Sequence, residues 1–475
     1  MPLSMEGTPC GLQNGLHGAF RIEGKYNYEK GNNNMKKYKK YNIEATDDFI
    51  KRAIENDTYS RASSIKNFIE GLDLIDTNVF ISLDAKWGEG KTFYIRQIEM
   101  TLKYLSKKRL EQDVSDLEET FSKSVLKSIN MENTYFPIYY NAWLYDCHTD
   151  PLMSLLYVLI KECEKYVSTT INTKSRGDTL ISLLSSCTLS LPFVQISGDF
   201  EKIKQSFTGK DILEEIKTAE ELKDTVKKIL NEILIENSQK LVIFIDELDR
   251  CKPSYAVEML ERIKHYFDDE RIIFIASLNK AQLVHTISKF YGESFDSTGY
   301  LNKFFDINIY LPEIPKHLKA NDILQTNDGQ YLVRQIVEDL SEYYNLSLRD
   351  TIIFKGNMNS TSKQNYCDYL AHGCILSIFV PIIQVLDIVS QKKKNEFIYD
   401  QGEIFEELCK NVRSIHRAVC KFGGSNLDSE ESYKIGFEKI FKVYKCTFGK
   451  EKQYDGSLEI PRDLKNICLR VCNGE

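Results

Sequence analysis

The chain has 475 residues, 42% of them hydrophobic and 28% charged, which is the composition of a soluble globular protein with material for roughly two or three domains. A formal net charge of −7 and a pI near 5.7 exclude broad electrostatic binding of nucleic acid, though not a local basic patch. The 12 cysteines include no Cys-x-x-Cys pair and no zinc-ligand spacing; with no secretion signal they read as reduced, mostly buried thiols of a cytoplasmic protein.

Residues 1–44 carry frequent Pro, Gly and Asn without apolar periodicity and read as a disordered tail; Met35, followed by Lys36-Lys37-Tyr38-Lys39-Lys40, resembles an alternative start. From Ile43 to Leu74 the period is helical, with Asp57 and Ser60 as candidate N-caps for a second helix. The apolar run Val79-Phe80-Ile81 then reads as a buried strand. It feeds Ala85-Lys86-Trp87-Gly88-Glu89-Gly90-Lys91-Thr92, and Ile95, Ile98 and Leu102 continue as one helix face.

Strand, glycine loop, Lys-Thr and helix together make a phosphate-binding loop. Glycines let backbone N–H groups converge on phosphate oxygens, and the helix N-terminus adds its dipole. Lys91 would reach the β- and γ-phosphates and the Thr92 hydroxyl would ligate Mg²⁺. Ala85 stands where the pattern has its first glycine, and alanine tolerates positive φ poorly.

Residues Glu111 to Met131 read as a charged helical connection, and Tyr135 to Tyr140 as a second strand ending in Asn141-Ala142-Trp143. Pro151 opens a helix with Leu152, Leu155, Leu156 and Leu159 on its face. A helical insertion spans about 160–236, irregular over 167–210 and amphipathic from Asp211, with Ile216, Leu222, Val226, Ile229 and Leu230 inward. The Leu-rich segment Thr179 to Ile196 and the apolar Cys374 to Val389 both contain polar residues and fall short of the ~18 apolar residues of a membrane span.

Leu241-Val242-Ile243-Phe244-Ile245 reads as a fully buried parallel strand that delivers Asp246 and Glu247 to its carboxyl end. Open α/β sheets bind ligands beyond that edge. Asp246 would hold Mg²⁺, and Glu247 would orient or deprotonate an attacking water. A fourth strand, Arg271 to Leu278, ends at Asn279, which either contacts the γ-phosphate or water or caps the next helix. Tyr300 to Leu311 alternates and closes the core near residue 315. Beyond it the period is helical, with Asn357 to Ser362, Gln391 to Asn395 and Gly423 to Glu430 as loops. His372 and His416 read as structural.

Trp87 to Thr92, Asn141 to Trp143, Asp246 to Pro253, Tyr300 to Phe305 with Leu311-Pro312, and Ser347-Leu348-Arg349-Asp350 together resemble the KAP family of phosphate-loop NTPases over about residues 55–355. The resemblance implies a three-layer α/β/α core of the additional-strand, catalytic-glutamate type over residues 45–315, with a mainly parallel sheet and a helical C-terminal region over 316–475. It also implies ATP with Mg²⁺ as ligand. Members of the family often carry membrane helices between the phosphate loop and the Asp–Glu strand; here that region holds only the Ser-rich segment 179–196, so a soluble member is expected.

Arg250 would act on the γ-phosphate, in trans across an oligomer, or pair with a carboxylate such as Asp249. Arg349 would report nucleotide state from the helical region or form an ordinary salt bridge. The expected activity is an ATPase that works as a conformational switch, its output passing through a protein partner or self-association. By analogy that switch would serve bacterial phage exclusion or defence. The competing expectation is a nucleotide-gated scaffold with little hydrolysis.

Overall fold

The computed structural model describes residues 44–148, 150–167, 223–231, 234, 238–314, 331–362, 373–399, 402–424, 429–449 and 464–473. The expected tail up to residue 43, most of the insertion including Thr179 to Ile196, and His372 lie outside them. Two compact units result, one over Glu44–Ile314 and one beyond Pro315.

The first unit is built on five parallel strands, β1 (Val79–Asp84), β2 (Tyr135–Asn141), β3 (Lys240–Asp246), β4 (Ile272–Leu278) and β5 (Ile307–Tyr310), in the order β2-β3-β4-β1-β5. The strand that carries the double carboxylate is thus separated from the loop-bearing strand by β4, which is the additional strand. Every residue of β3 and β4 is buried, as their unbroken apolar runs require. Pro137, which has no N–H to donate, sits in β2 at the edge.

Side chains alternate between two helical layers because the strand period is two. Val79, Ile81, Val242, Phe244, Ile273 and Ile275 face a layer formed by α1 (Asp47–Asn56), α2 (Ala62–Asp73), α3 (Lys91–Arg109) and α4 (Ser115–Ser122). Phe80, Ile243, Ile245, Phe274 and Ala276 face the other layer. After the short α5 (Ala142–Tyr145), that layer comprises α6 (Pro151–Val167), a helical stretch over 223–231, α7 (Pro253–Tyr266), α8 (Lys280–Tyr291) and α9 (Ser297–Leu301). Val226, Ile229 and Leu230 are buried there.

Several boundaries differ from the sequence reading. Residues 111–131 hold α4 and a 3₁₀ turn rather than one helix. Tyr300 ends up in α9, and only Ile307–Tyr310 is strand, because Asp296 caps a short helix by accepting from the Gly299 N–H at 2.9 Å. Neither Asp57 nor Ser60 is the N-cap of α2: Arg61 holds that position, without a side-chain cap, while Asp57, which ends α1, accepts the N–H groups of Arg61 and Ala62 at 2.9 and 3.0 Å.

The second unit is helical throughout its described residues: α10 (Tyr331–Tyr343), α11 (Leu348–Ser362), α12 (Gly373–Val389), α13 (Gln391–Ile398), α14 (Glu403–Asn411), α15 (Arg413–Phe422), α16 (Glu430–Phe448) and α17 (Leu464–Asn473). Residues 357–362 and 391–395, read as loops, are helical. In α13 the Ser390 hydroxyl caps the start and Phe397 and Ile398 anchor the end, so the lysine-rich turn between them continues the helix. The core is aromatic: Phe379 packs edge-on against Phe405 and Phe448 at 5.5 Å, and Tyr444 stacks on Phe405 at 4.8 Å. His416 stacks on Tyr433 at 4.4 Å, a packing role. Among the described residues no helix is long and apolar enough to cross a membrane.

Candidate functional site

At the carboxyl edge of the sheet, β1 ends in Asp84, whose carboxylate accepts the Lys280 N–H at 2.8 Å and so pins the start of α8. The next residue, Ala85, still belongs to the sheet: its N–H donates to Leu278 O at 3.2 Å. Positive φ occurs at Gly88 (84°) and Gly90 (85°), and Ala85 is not among the left-handed residues. The methyl group in the first-glycine position therefore meets no left-handed backbone requirement, because φ there is not positive.

Lys91 Nζ lies over the loop and donates to Ala85 O at 2.6 Å and Lys86 O at 3.1 Å. Burial lowers the Lys91 pKa, and the carboxylates of Asp249, Asp246 and Asp84 oppose that shift. Gly90 caps α3, so Lys91 and Thr92 occupy its first turn, where unpaired N–H groups and the helix dipole favour an anion.

Thr92 Oγ1 donates to Asp246 Oδ2 at 2.7 Å, and the Tyr139 hydroxyl donates to the same oxygen at 3.0 Å. Oδ1 accepts the Glu247 N–H at 3.0 Å. Asp246 is 1% exposed, and burial raises its pKa against the hydrogen bonds from Thr92 and Tyr139. A buried carboxylate beside a hydroxyl at a helix N-terminus is an oxygen donor set suited to a hard divalent cation. Among the described residues no three His, Cys, Asp or Glu form a metal cage. The Thr92–Asp246 pair would suit Mg²⁺, whose remaining ligands would come from phosphate and water.

Glu247 has φ 61° and ψ 26°, a left-handed conformation costing on the order of 1 kcal/mol or more for a residue with a side chain. Its carboxylate pairs with Arg250 at 2.9 Å. Burial raises its pKa, the Asp246 charge adds to this, and Arg250 opposes it. Arg250 also lies 5.4 Å over the Trp143 ring, and Trp87 Nε1 donates to Asp249 Oδ2 at 2.5 Å. Two half-exposed tryptophans, one from the loop and one from α5 just after β2, are thus tied to the turn that follows Glu247.

Ala85 to Thr92, Asp246, Glu247 and Arg250 converge at this edge. Asn279 is adjacent, and its side chain accepts the Gln282 N–H at 3.3 Å as the cap of α8. The ion-pair partner of Arg250 is Glu247, not Asp249. Arg349 lies on α11 of the other unit.

Two residues went unread in the sequence. Tyr139 looked like sheet core because strand periodicity does not say which hydroxyl meets a carboxylate on the next strand. Arg61, 2% exposed, donates from Nη1 to Gly90 O (3.2 Å) and from Nη2 to Glu89 O (3.1 Å) and Pro312 O (3.2 Å). Burial pushes its pKa down to about 10.

Sheet order, glycine loop and the Thr92–Asp246 pair define a phosphate-loop NTPase fold of the additional-strand class. The family model described as "KAP family P-loop domain" matches residues 60–422, and the chain belongs to that family. An uncharacterised protein of Methanocaldococcus jannaschii is 26% identical over 170 aligned residues, covering 29% of this chain and 86% of that one. The solved structure of the Aeropyrum pernix ORC2 protein overlays with 88% of this chain and 92% of that chain covered, at 12% identity and a TM-score of 0.27. At that TM-score the overlay has no bearing on fold or function.

Proposed function

We propose that the protein binds ATP with Mg²⁺ and hydrolyses it, using the nucleotide cycle as a conformational switch. The observation that supports this best is the Thr92–Asp246 hydrogen bond of 2.7 Å next to Glu247, at the edge that carries the loop. Lys86 to Lys91 N–H groups and the Lys91 ammonium would hold the phosphates, and Thr92 and Asp246 would hold Mg²⁺. When bound, Mg²⁺ would neutralise charge on the phosphate oxygens. Glu247, held above the usual carboxylate range by burial and by Asp246, suits the general base.

Lys91→Ala should abolish nucleotide binding in calorimetry. Glu247→Gln should keep binding while turnover falls by about 100-fold or more. Normal turnover in the Gln variant would remove Glu247 from the mechanism.

The 2.9 Å Glu247–Arg250 ion pair favours a second reading. A base held by an arginine is idle, so the resting protein would be a nucleotide-gated scaffold until a partner or a γ-phosphate draws Arg250 away. Single-turnover hydrolysis by the purified protein separates the readings. Contact of Asn279 or Arg349 with nucleotide, cytoplasmic location, and a protein partner or self-association complete the proposal. A role in phage exclusion or defence rests on the KAP resemblance alone, and phage plating efficiency with and without the gene tests it.

A further inference from the structure

The Arg61 guanidinium is buried beside the phosphate loop and binds backbone carbonyls from two separate stretches of chain, Gly90 through one nitrogen and both Glu89 and Pro312 through another. The geometry points to Arg61 as a positioning residue that aims the loop's N–H groups at the β-phosphate and passes the loop's state to the chain at Pro312. This rests on the reading of residues 85–92 as a nucleotide site.

The reason lies in the peptide group. In a trans peptide the C=O and the following N–H point in opposite directions. Holding Glu89 O and Gly90 O on the outer side turns the N–H groups of Gly90 and Lys91 to the inner side, where an anion is favoured. Gly90 O also accepts the Tyr94 N–H at 3.1 Å in the first turn of α3, so one carbonyl is shared between the helix and Arg61. The clamp is itself held. Arg61 N–H donates to Asp57, and the guanidinium sits 5.6 Å from the Tyr94 ring centre.

The nitrogen that holds Glu89 O also reaches Pro312 O, just beyond β5. Leu311 N–H donates to Asp84 O at 3.0 Å, so residues 311–312 are tied both to the end of β1 and to Arg61. Residue 315 begins the second unit. A change in the Glu89–Gly90 peptides on phosphate binding therefore acts through one side chain on the segment that leaves the α/β unit.

The test uses the full chain with ADP·Mg²⁺ and with AMP, the latter lacking the β-phosphate. Wild-type protein should prefer ADP strongly, and ADP should slow amide exchange at Leu311, Glu313 and Ile314. In Arg61→Met the ADP preference over AMP should shrink about tenfold or more, and the slowing at 311–314 should vanish. Arg61→Lys, which keeps the charge but not the fork, should fall between the two and serves if the Met variant does not fold. A melting temperature that drops while the ADP-to-AMP ratio and the exchange pattern stay at wild-type values would reduce Arg61 to packing and overturn the proposal. Failure of the wild-type protein to bind ADP at all would instead overturn the nucleotide-site reading.

Discussion

The two units are centred on different kinds of group, although each also buries individual polar side chains, Lys240 in one and Lys355 in the other. In the α/β unit, Arg61, Asp246 and Asp249 are buried close to one edge, where five strands end and loops begin. In the helical unit the centre is Phe379, Phe397, Phe405, Tyr444 and Phe448, and the Tyr444 hydroxyl is spent on Phe397 O at 2.6 Å. A parallel sheet has an edge at which backbone and carboxylates run out together, so polar chemistry collects there. A helical bundle satisfies its backbone within each helix and fills its interior with side chains that stack. On the proposed function the units therefore differ in what a substitution would remove: ligand contacts in one, cohesion in the other.

Glu247→Gln breaks the comparison hardest if it behaves as expected, losing about 100-fold or more in turnover with nucleotide affinity and melting temperature unchanged. Next is Phe379→Ala, which should destabilise the helical unit by about 3–5 kcal/mol in denaturant unfolding while leaving ADP affinity intact. An equal loss of nucleotide affinity would mean that the aromatic core also supports the site.

A smaller effect is expected of Tyr139→Phe. The Asp246 carboxyl is already held above its ordinary 3.8 by burial. Its protonated form is therefore favoured in the folded protein, and this contribution to stability is lost as pH rises through the folded-state value. Mg²⁺ needs the anion, so affinity falls as pH falls. Removing the Tyr139 donor raises the pKa further; Mg²⁺-dependent binding should weaken about tenfold, most strongly at acid pH. A pH profile identical to wild type would separate Tyr139 from the titration of Asp246. Asn279→Ala should cost only about 1 kcal/mol in thermal melts, the value of a cap, with turnover preserved. A large loss of turnover without a stability change would instead place Asn279 on the phosphate.

The sequence by itself determined the parts whose signals are contiguous. The loop occupies eight adjacent residues, and β3 carries five apolar residues in a row with the two carboxylates immediately after them. The helical period beyond residue 315 repeats over many turns, although Ser390 and the buried Phe397 carried a helix through a stretch that composition alone reads as loop. What only the tertiary structure decided lies between residues far apart in the chain. The pairing of Ala85 with Leu278 removed the objection to the missing glycine, and Arg61 met carbonyls 28 to 251 residues away. Tyr139 met Asp246 across a strand pair. A side chain's own sequence neighbours fix its local conformation. Its partner depends on strand order and register, and those follow from how the two helical layers close over the sheet.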